Sequence, residues 1–451
     1  MSGFADALRA VGMSDTESQR KTHLFERCAD ALTALDAGGG ATTPLAFFVP
    51  GRIEVLGKHT DYAGGRSLLC AMERGFTVLA VPRADTRIRV VDARRGEHRE
   101  FTLDPGLDTT RGDWSNYVAT VVRSVARHFP SAHRGADIAF ASDLPPASGM
   151  SSSSAMVIAI FLVLQTVNDL THDTVYRAII TSQEALGNYL GAVENGRSYG
   201  SLAGDRGVGT LGGSQDQTAI LCCRAGVLSR YSFCPVRAEG EILFPVERTF
   251  VVAYSGVAAS KTSNALHQYN EASLAVSEIL GIWNAATARS DACLADAIGS
   301  AADAGIRINA LLRASRSPDF TPRRLQDRLE QFIVESYDII PHAATAFAQD
   351  DMVRLGALVA RSQRGVETLL GNQIPETIAL TRLASENGAD AASAFGAGFG
   401  GSVWALVSAE RAETFASAWR QAYRRDFPGA ESHSEFFVTA PGPGAVQLND
   451  T

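Results

Sequence analysis

Residues 50–65, PGRIEVLGKHTDYAGG, set an arginine, a lysine, a histidine and an aspartate among four glycines. An arginine brings fixed positive charge and an aspartate brings hydrogen-bond acceptors into one short segment. The glycines let backbone and ligand approach closely. A second segment, SDLPPASGMSSSSAMVIAI at 142–160, puts Gly149 and the serines Ser151, Ser152, Ser153 and Ser154 directly before an apolar helical run. The first amides of a helix lack carbonyl partners and lie at the positive end of its dipole, so such a start favours a bound phosphate. Serine hydroxyls there can also hold phosphate oxygens or a Mg2+ ion. A serine run is equally a plain helix cap; Gly149 and the prolines at 145 and 146 tip the reading toward a shaped anion loop. A third segment, SAFGAGFGGSVWALV at 393–407, adds another glycine loop. Three loops of small residues spread along one chain read as one phosphate-and-sugar site assembled in space.

Two carboxylates stand near these loops in the sequence. Asp216 lies in GGSQDQ, where glycines let a substrate come close, and Glu194 closes a helical stretch 22 residues earlier. A lone carboxylate is more often a solvated residue or a cap, and a lone histidine such as His59 is more often structural. Asp61 has the stronger context, because glycines and an arginine crowd the same short segment. Several tempting motifs fail. No GxxxxGK[ST] occurs, since Gly57 and Lys58 are followed by His59, which excludes a Walker-type loop. Residues 207–212 and 396–401 both satisfy GxGxxG, but the second runs into a strand, whereas a dinucleotide fingerprint follows a strand and opens a helix. Residues 196–200 satisfy GxSxG yet follow a helix, unlike a nucleophile elbow. Nine scattered histidines show no zinc-ligand spacing.

The scaffold must be large enough to bring these loops together. A chain of 451 residues exceeds one ordinary core, and 45% hydrophobic with 20% charged residues is a globular balance. The alternating and helical patterns predict strands at 47–56, 138–141 and 403–407, and a pair of strands at 76–82 and 87–92. Helices are expected at 114–129, 155–170, 174–194, 264–286, 291–312, 323–336 and 350–370. Residues 195–213 read as a long glycine-rich loop. Helical patterns dominate from about residue 260, so an α+β chain of two domains is expected, divided as 1–245 and 246–451. The net charge of −8 argues against a nucleic-acid or anionic-membrane partner. Six cysteines without framework spacing read as reduced thiols, and the longest apolar run, ten residues at 155–164, is too short to span a bilayer. A cytoplasmic protein follows as the expectation; the oligomeric state stays open between monomer and dimer.

In order and wording the three loops resemble the GHMP small-molecule kinases, and within them the galactokinase branch, whose first motif reads approximately PGRVNLIGEHTDYNGG. Further matches are WSNYV at 114–118, VEN at 193–195, GGSQDQ at 212–217, Tyr269 with Asn270, residues 356–370 and FGAGFGGS. The resemblance implies a two-domain fold with the active site between the domains. The activity implied is transfer of the γ-phosphate of ATP to the anomeric hydroxyl of galactose or a related hexose. Asp216 would then serve as base or electrostatic anchor, and Arg52 would stabilise charge on the reacting oxygen or the γ-phosphate. Lys58, His59, Asp61, Tyr62, Gly213 and Tyr269 would bind the sugar. Trp114, Gly149, Ser151, Ser152, Ser153 and Gly398 would bind the nucleotide, and Ser153 and Glu194 would hold Mg2+. Some positions depart from the pattern. Lys58 stands for a glutamate that contacts the hydroxyl at carbon 6, Glu54 and Ala63 for asparagines, and Gln215 for methionine. Ser393 and Phe395 replace arginine and threonine, and residues 196–212 insert extra chain. The lysine raises a second reading, a hexuronate 1-kinase with Lys58 pairing the substrate carboxylate. A third is a sugar sensor without turnover.

Overall fold

The computed structural model describes residues 2–35, 43–108, 113–259 and 264–448. Twelve strands are present among them: β1 (Leu45–Leu56), β2 (Arg66–Pro82), β3 (Arg87–Asp92), β4 (His98–Thr102), β5 (Ala136–Ser142), β6 (Val227–Ser232), β7 (Arg237–Leu243), β8 (Arg248–Tyr254), β9 (Ala391–Phe395), β10 (Ser402–Ser408), β11 (Glu435–Thr439) and β12 (Val446–Leu448). They form an eight-stranded sheet with the path β12-β1-β2-β5-β3-β4, to which β6 and β7 attach beside β2, and a four-stranded sheet ordered β11-β8-β10-β9. All pairings are antiparallel except β3 with β5.

Strand alternation explains how the first sheet is covered on both faces. On β1, Ala46 and Phe48 pack under the N-terminal helices Ser2–Ala10 and Asp15–Ala34 with Leu8, Phe25 and Leu32. Phe47 and Val49 face the opposite way, into the main core with the helix Ser152–Val167. That helix is apolar nearly all round and almost wholly buried. On the second sheet Val251 and Ala253 meet Leu380 and Trp419, while Phe250 and Val252 turn to the main core beside Trp404. A further helical cluster, around Trp283, Leu294, Ile308, Leu325 and Phe332, packs on Ala63.

Beyond Pro50 the β1 ladder slips in register between Pro50 and Arg52, and again between Glu54 and Leu56. Proline brings no N–H to the ladder, and such irregularities re-aim side chains. Ile53 and Val55 stay in the core, while Arg52 and Glu54 on the other face line a cavity. The slip thus carries a core strand into the site.

Several expectations need correction. The segments 76–82 and 87–92 are strands but not a pair, because β5 lies between them, antiparallel to β2 and parallel to β3. The β2 strand begins at Arg66 rather than 76, and its early apolar run, 68–72, shows no alternation that would mark it as a strand. Residues 174–194 form two helices, Thr174–Ile179 and Gln183–Asn195, because the Ser182 hydroxyl accepts from the Ala185 amide and starts a new one. Residues 291–312 likewise divide into Leu294–Gly299 and Ala304–Ala314. The expected domain boundary falls in the turn between β7 and β8, where the chain leaves one sheet for the other. Strand β12 returns to pair with β1.

Candidate active site

A cavity of about 720 Å3 opens where the three loops meet, a size suited to small-molecule ligands. Its walls carry Arg52, His59, Asp61, Tyr62, Trp114, Gly149, Ser151, Ser152, Ser153, Glu194, Gly213, Asp216 and Tyr269. At its centre Arg52 donates from Nε and Nη2 to Asp216 Oδ1, at 2.9 and 2.8 Å. The third guanidinium nitrogen, Nη1, donates to the Gly149 carbonyl at 2.5 Å. One arginine therefore links the first strand, the serine loop and the acid. Asp216 sits in the first turn of the helix Gln215–Cys222, not in a loop as the sequence suggests. Its carboxyl lies at the positive end of that helix's dipole.

The turn after β1 forms the wall beside this pair. His59 is held at φ 56°, in the left-handed region. Its Nε2 meets the Ala397 carbonyl at 3.1 Å, which can only accept, so Nδ1 is left to accept from the Tyr62 hydroxyl at 2.9 Å. Asp61 Oδ2 accepts from the Gln215 amide at 3.1 Å, and burial pushes its carboxyl pKa up. Gly213 permits this approach, since a Cβ there would stand 2.3 Å from the same oxygen. The Tyr269 ring lies 5.4 Å from His59, and burial beside several carboxylates raises its phenol.

Three residues that sequence reasoning missed clamp this turn from the helical side. Arg328 donates to the His59 carbonyl and the Tyr62 hydroxyl, Gln331 donates to the Lys58 carbonyl, and Glu335 accepts from the Gly57 amide. On a helix they read as polar positions, and only their complete burial marks them otherwise. Lys58 is a correction. It does not line the cavity; its ammonium turns away to Ser362, 3.4 Å off, whose hydroxyl donates to Glu335.

The serine-loop end of the cavity is built on the helix Ser152–Val167, which starts three residues before the expected position. Ser151 precedes it at φ 62°, and its buried hydroxyl has no hydrogen-bond partner in the protein. Ser152, Ser153 and Ser154 thus occupy the first turn, whose amides point out of the helix end. Ser154 donates to Glu194 Oε2 at 2.8 Å, and the Gln217 amide donates to the same oxygen at 2.6 Å. Ser153 reaches the cavity beside them. Gly398 does not line the cavity. Its left-handed backbone packs on Asn372, where a Cβ would clash at 2.3 Å, while neighbouring Gly396 and Ala397 form the wall.

Trp114 lines the far end with Tyr117, Phe140, Arg94 and Arg95, its ring edge-on to Phe140 at 5.5 Å. Residues 196–212 are pinned rather than loose. Arg123 and Arg127 pair with Asp205, the Val208 amide donates to the Glu194 carbonyl at 2.8 Å, and the Asn270 amide donates to the Gly209 carbonyl at 3.1 Å. Among the described residues no group of three His, Cys, Asp or Glu forms a metal cluster, all six cysteines are unbridged, and no helix is long and apolar enough to cross a membrane.

Family models match at residues 38–82 (galactokinase galactose-binding signature), 116–196 (GHMP kinases N terminal domain) and 343–425 (GHMP kinases C terminal). The galactokinase of Actinobacillus pleuropneumoniae serotype 3 (strain JL03) is 28% identical over 378 residues, covering 83% of this chain and 88% of that protein. That of Chloroflexus aggregans (strain MD-66 / DSM 9485) is 28% identical over 382 residues, covering 83% and 86%. The crystal structure of Lactococcus lactis galactokinase complexed with galactose shares the fold with a TM-score of 0.74 at 23% identity, covering 93% of this chain and 99% of that one. The chain carries the N- and C-terminal signatures of GHMP kinases together with the galactose-binding signature of galactokinases, and is similar to galactokinases along most of its length. It is a sugar kinase, a phosphotransferase with an alcohol group as acceptor, and GHMP kinases use ATP as the donor.

Proposed function

We propose that this protein transfers the γ-phosphate of ATP to the anomeric hydroxyl of galactose or a closely related neutral hexose. The observation that carries the proposal is the Arg52–Asp216 pair, set in one cavity between the serine helix start and the Asp61 turn. Phosphoryl transfer requires alignment and charge stabilisation more than covalent participation by the protein. Asp216 would orient the acceptor hydroxyl and draw off its proton, and Arg52 would stabilise charge on the reacting oxygen or the γ-phosphate. His59, Asp61, Tyr62, Gly213 and Tyr269 would grip the sugar. Trp114 would lie against the base, with the phosphates at Gly149 and the amides of Ser151, Ser152 and Ser153.

Mg2+ takes one or two carboxylates together with substrate phosphates and keeps several waters. One buried carboxylate beside serine hydroxyls fits that demand, so Glu194 and Ser153 would hold the ion with the nucleotide. The ion would supply positive charge to the phosphate oxygens. We also propose the division into domains 1–245 and 246–451, each contributing to the cavity.

The acceptor is neutral because Lys58 is withdrawn. Without its ammonium, a hexuronate carboxylate would meet Asp61, Glu54 and Asp216, all acidic. ADP release with galactose, other neutral hexoses and galacturonate tests the assignment. Turnover confined to neutral sugars is expected, and turnover with galacturonate alone would overturn it.

A further inference from the structure

Glu54 is a buried carboxylate to which the phosphoryl-transfer scheme gives no task. It projects from β1 two residues past Arg52, on the same face, and lines the cavity. Its Oε2 accepts from the Gln215 side-chain amide at 2.8 Å, and Gln215 Oε1 accepts from the Ser67 hydroxyl at 2.8 Å. Because Ser67 takes the amide oxygen, the Gln215 nitrogen is left for Glu54. The other carboxylate oxygen, Oε1, is buried without a hydrogen-bond partner in the protein. Three charged groups face this carboxyl: Arg52 on its own strand, Lys58 in the following turn, and Asp216 on the helix Gln215–Cys222. Arg52 directs its donors to Asp216 and Gly149, and Lys58 Nζ turns to Ser362, so neither supplies the missing donor.

A buried carboxylate oxygen without a donor is costly unless a ligand completes it. We propose that Glu54 is a specificity-determining residue of the acceptor subsite, its Oε1 accepting a hydrogen bond from the sugar hydroxyl adjacent to the one phosphorylated. The inference rests on the sugar-kinase reading, which puts the reacting oxygen at Arg52 and Asp216. The next group along the same strand face is Glu54, and the next hydroxyl along an aldose from carbon 1 is at carbon 2. The chemistry selects a hydroxyl donor, since an anionic or acceptor-only group there would face two carboxylates. Burial also pushes the Glu54 carboxyl up to about 7, the condition of a desolvated acid awaiting a donor. A hydroxyl donating to it favours the ionised form, so sugar binding should release a proton.

The test uses the best sugar from the ADP-release panel and its 2-deoxy analogue, with wild type, Glu54→Ala and Glu54→Gln. Wild type should lose about 10- to 100-fold in kcat/KM when the carbon-2 hydroxyl is removed, the scale of one hydrogen bond to a charged group. Glu54→Ala should lose a similar factor on the parent sugar and little more on the analogue, with the KM for ATP unchanged. Calorimetry of sugar binding at pH 7 in two buffers should show release of about half a proton by wild type, and none by Glu54→Gln. Losses that simply multiply, or proton release that survives in Glu54→Gln, would overturn the inference while leaving the kinase reading intact. A wild type that releases no ADP with any sugar would overturn both.

Discussion

Replacing Asp216 by asparagine separates the chemistry from the scaffold. The asparagine would keep the shape of the side chain and one oxygen for the Arg52 Nε and Nη2 donors, now 2.9 and 2.8 Å from Asp216 Oδ1. What disappears is the charge. A hydrogen bond to a charged group contributes about 1.5–3 kcal/mol and one to a neutral group about 0.5–1.5, so the exchange costs roughly 1–2 kcal/mol of stability. Asp216 is 24% exposed, which keeps that cost at the low end. Stability losses of this size lower Tm by only a few degrees in domains of this length. A positioned acid–base group contributes about 10²- to 10⁴-fold to turnover, equivalent to roughly 2.7–5.4 kcal/mol in the barrier. The chemical loss therefore exceeds the structural one. ADP release should fall by that factor, with Tm reduced by a few degrees and the KM for ATP nearly constant. Turnover within about 5-fold of wild type would refute the role given to Asp216; collapse of the fold would refute the reasoning about the pair.

The remaining predictions address the other walls of the site. Trp114→Ala should raise the KM for ATP several-fold and leave that for sugar unchanged, as steady-state kinetics with each substrate varied will show. Ser152→Ala with Ser153→Ala should weaken MgATP binding in titration calorimetry by about 10-fold or more, because hydroxyls at the helix start are lost together. Gly213→Ala places a Cβ 2.3 Å from Asp61 Oδ2 and must displace the carboxylate, so the KM for sugar should rise at least about 10-fold while that for ATP holds. Glu54→Gln should change the pH dependence of stability. The native carboxyl titrates near 7 against 4.5 for the free group, so between these values the folded state holds a proton that the unfolded state has released. Wild type thus loses up to about 3 kcal/mol as pH rises from 4.5 past 7, a loss that glutamine does not share. Urea unfolding of both proteins at pH 5 and pH 8 measures the gap, which should widen in favour of Glu54→Gln at pH 8.

The loops were legible because glycine and serine clusters leave a compositional mark. Asp61, Arg52, Glu194 and Asp216 line one cavity; for Glu194 and Asp216 only the family resemblance pointed there, since a lone carboxylate in the sequence reads as a solvated residue or a cap. Direction was not legible. A lysine next to His59 looks substrate-facing in one dimension, yet the turn sends Lys58 toward Ser362 and Glu335. Burial was equally hidden: Glu54 and Gln215 stand out only as departures from a motif, and nothing local says that they bond each other. Arg328, Gln331 and Glu335 lie about 270 residues beyond the turn they hold, on a helix whose polar residues would ordinarily face water. The strand order failed for a similar reason, since β5 enters between β2 and β3 from more than 40 residues downstream.

The most direct test of the central claim is where the phosphate goes. The purified protein, incubated with MgATP and galactose, can be followed by phosphorus NMR with coupling to the sugar protons. The account predicts one new phosphomonoester whose phosphorus couples to the proton on carbon 1, formed in step with ADP and at least about 100-fold more slowly with Asp216→Asn. A phosphate on any other carbon, or ADP formed without a sugar phosphate from any neutral hexose, would contradict it.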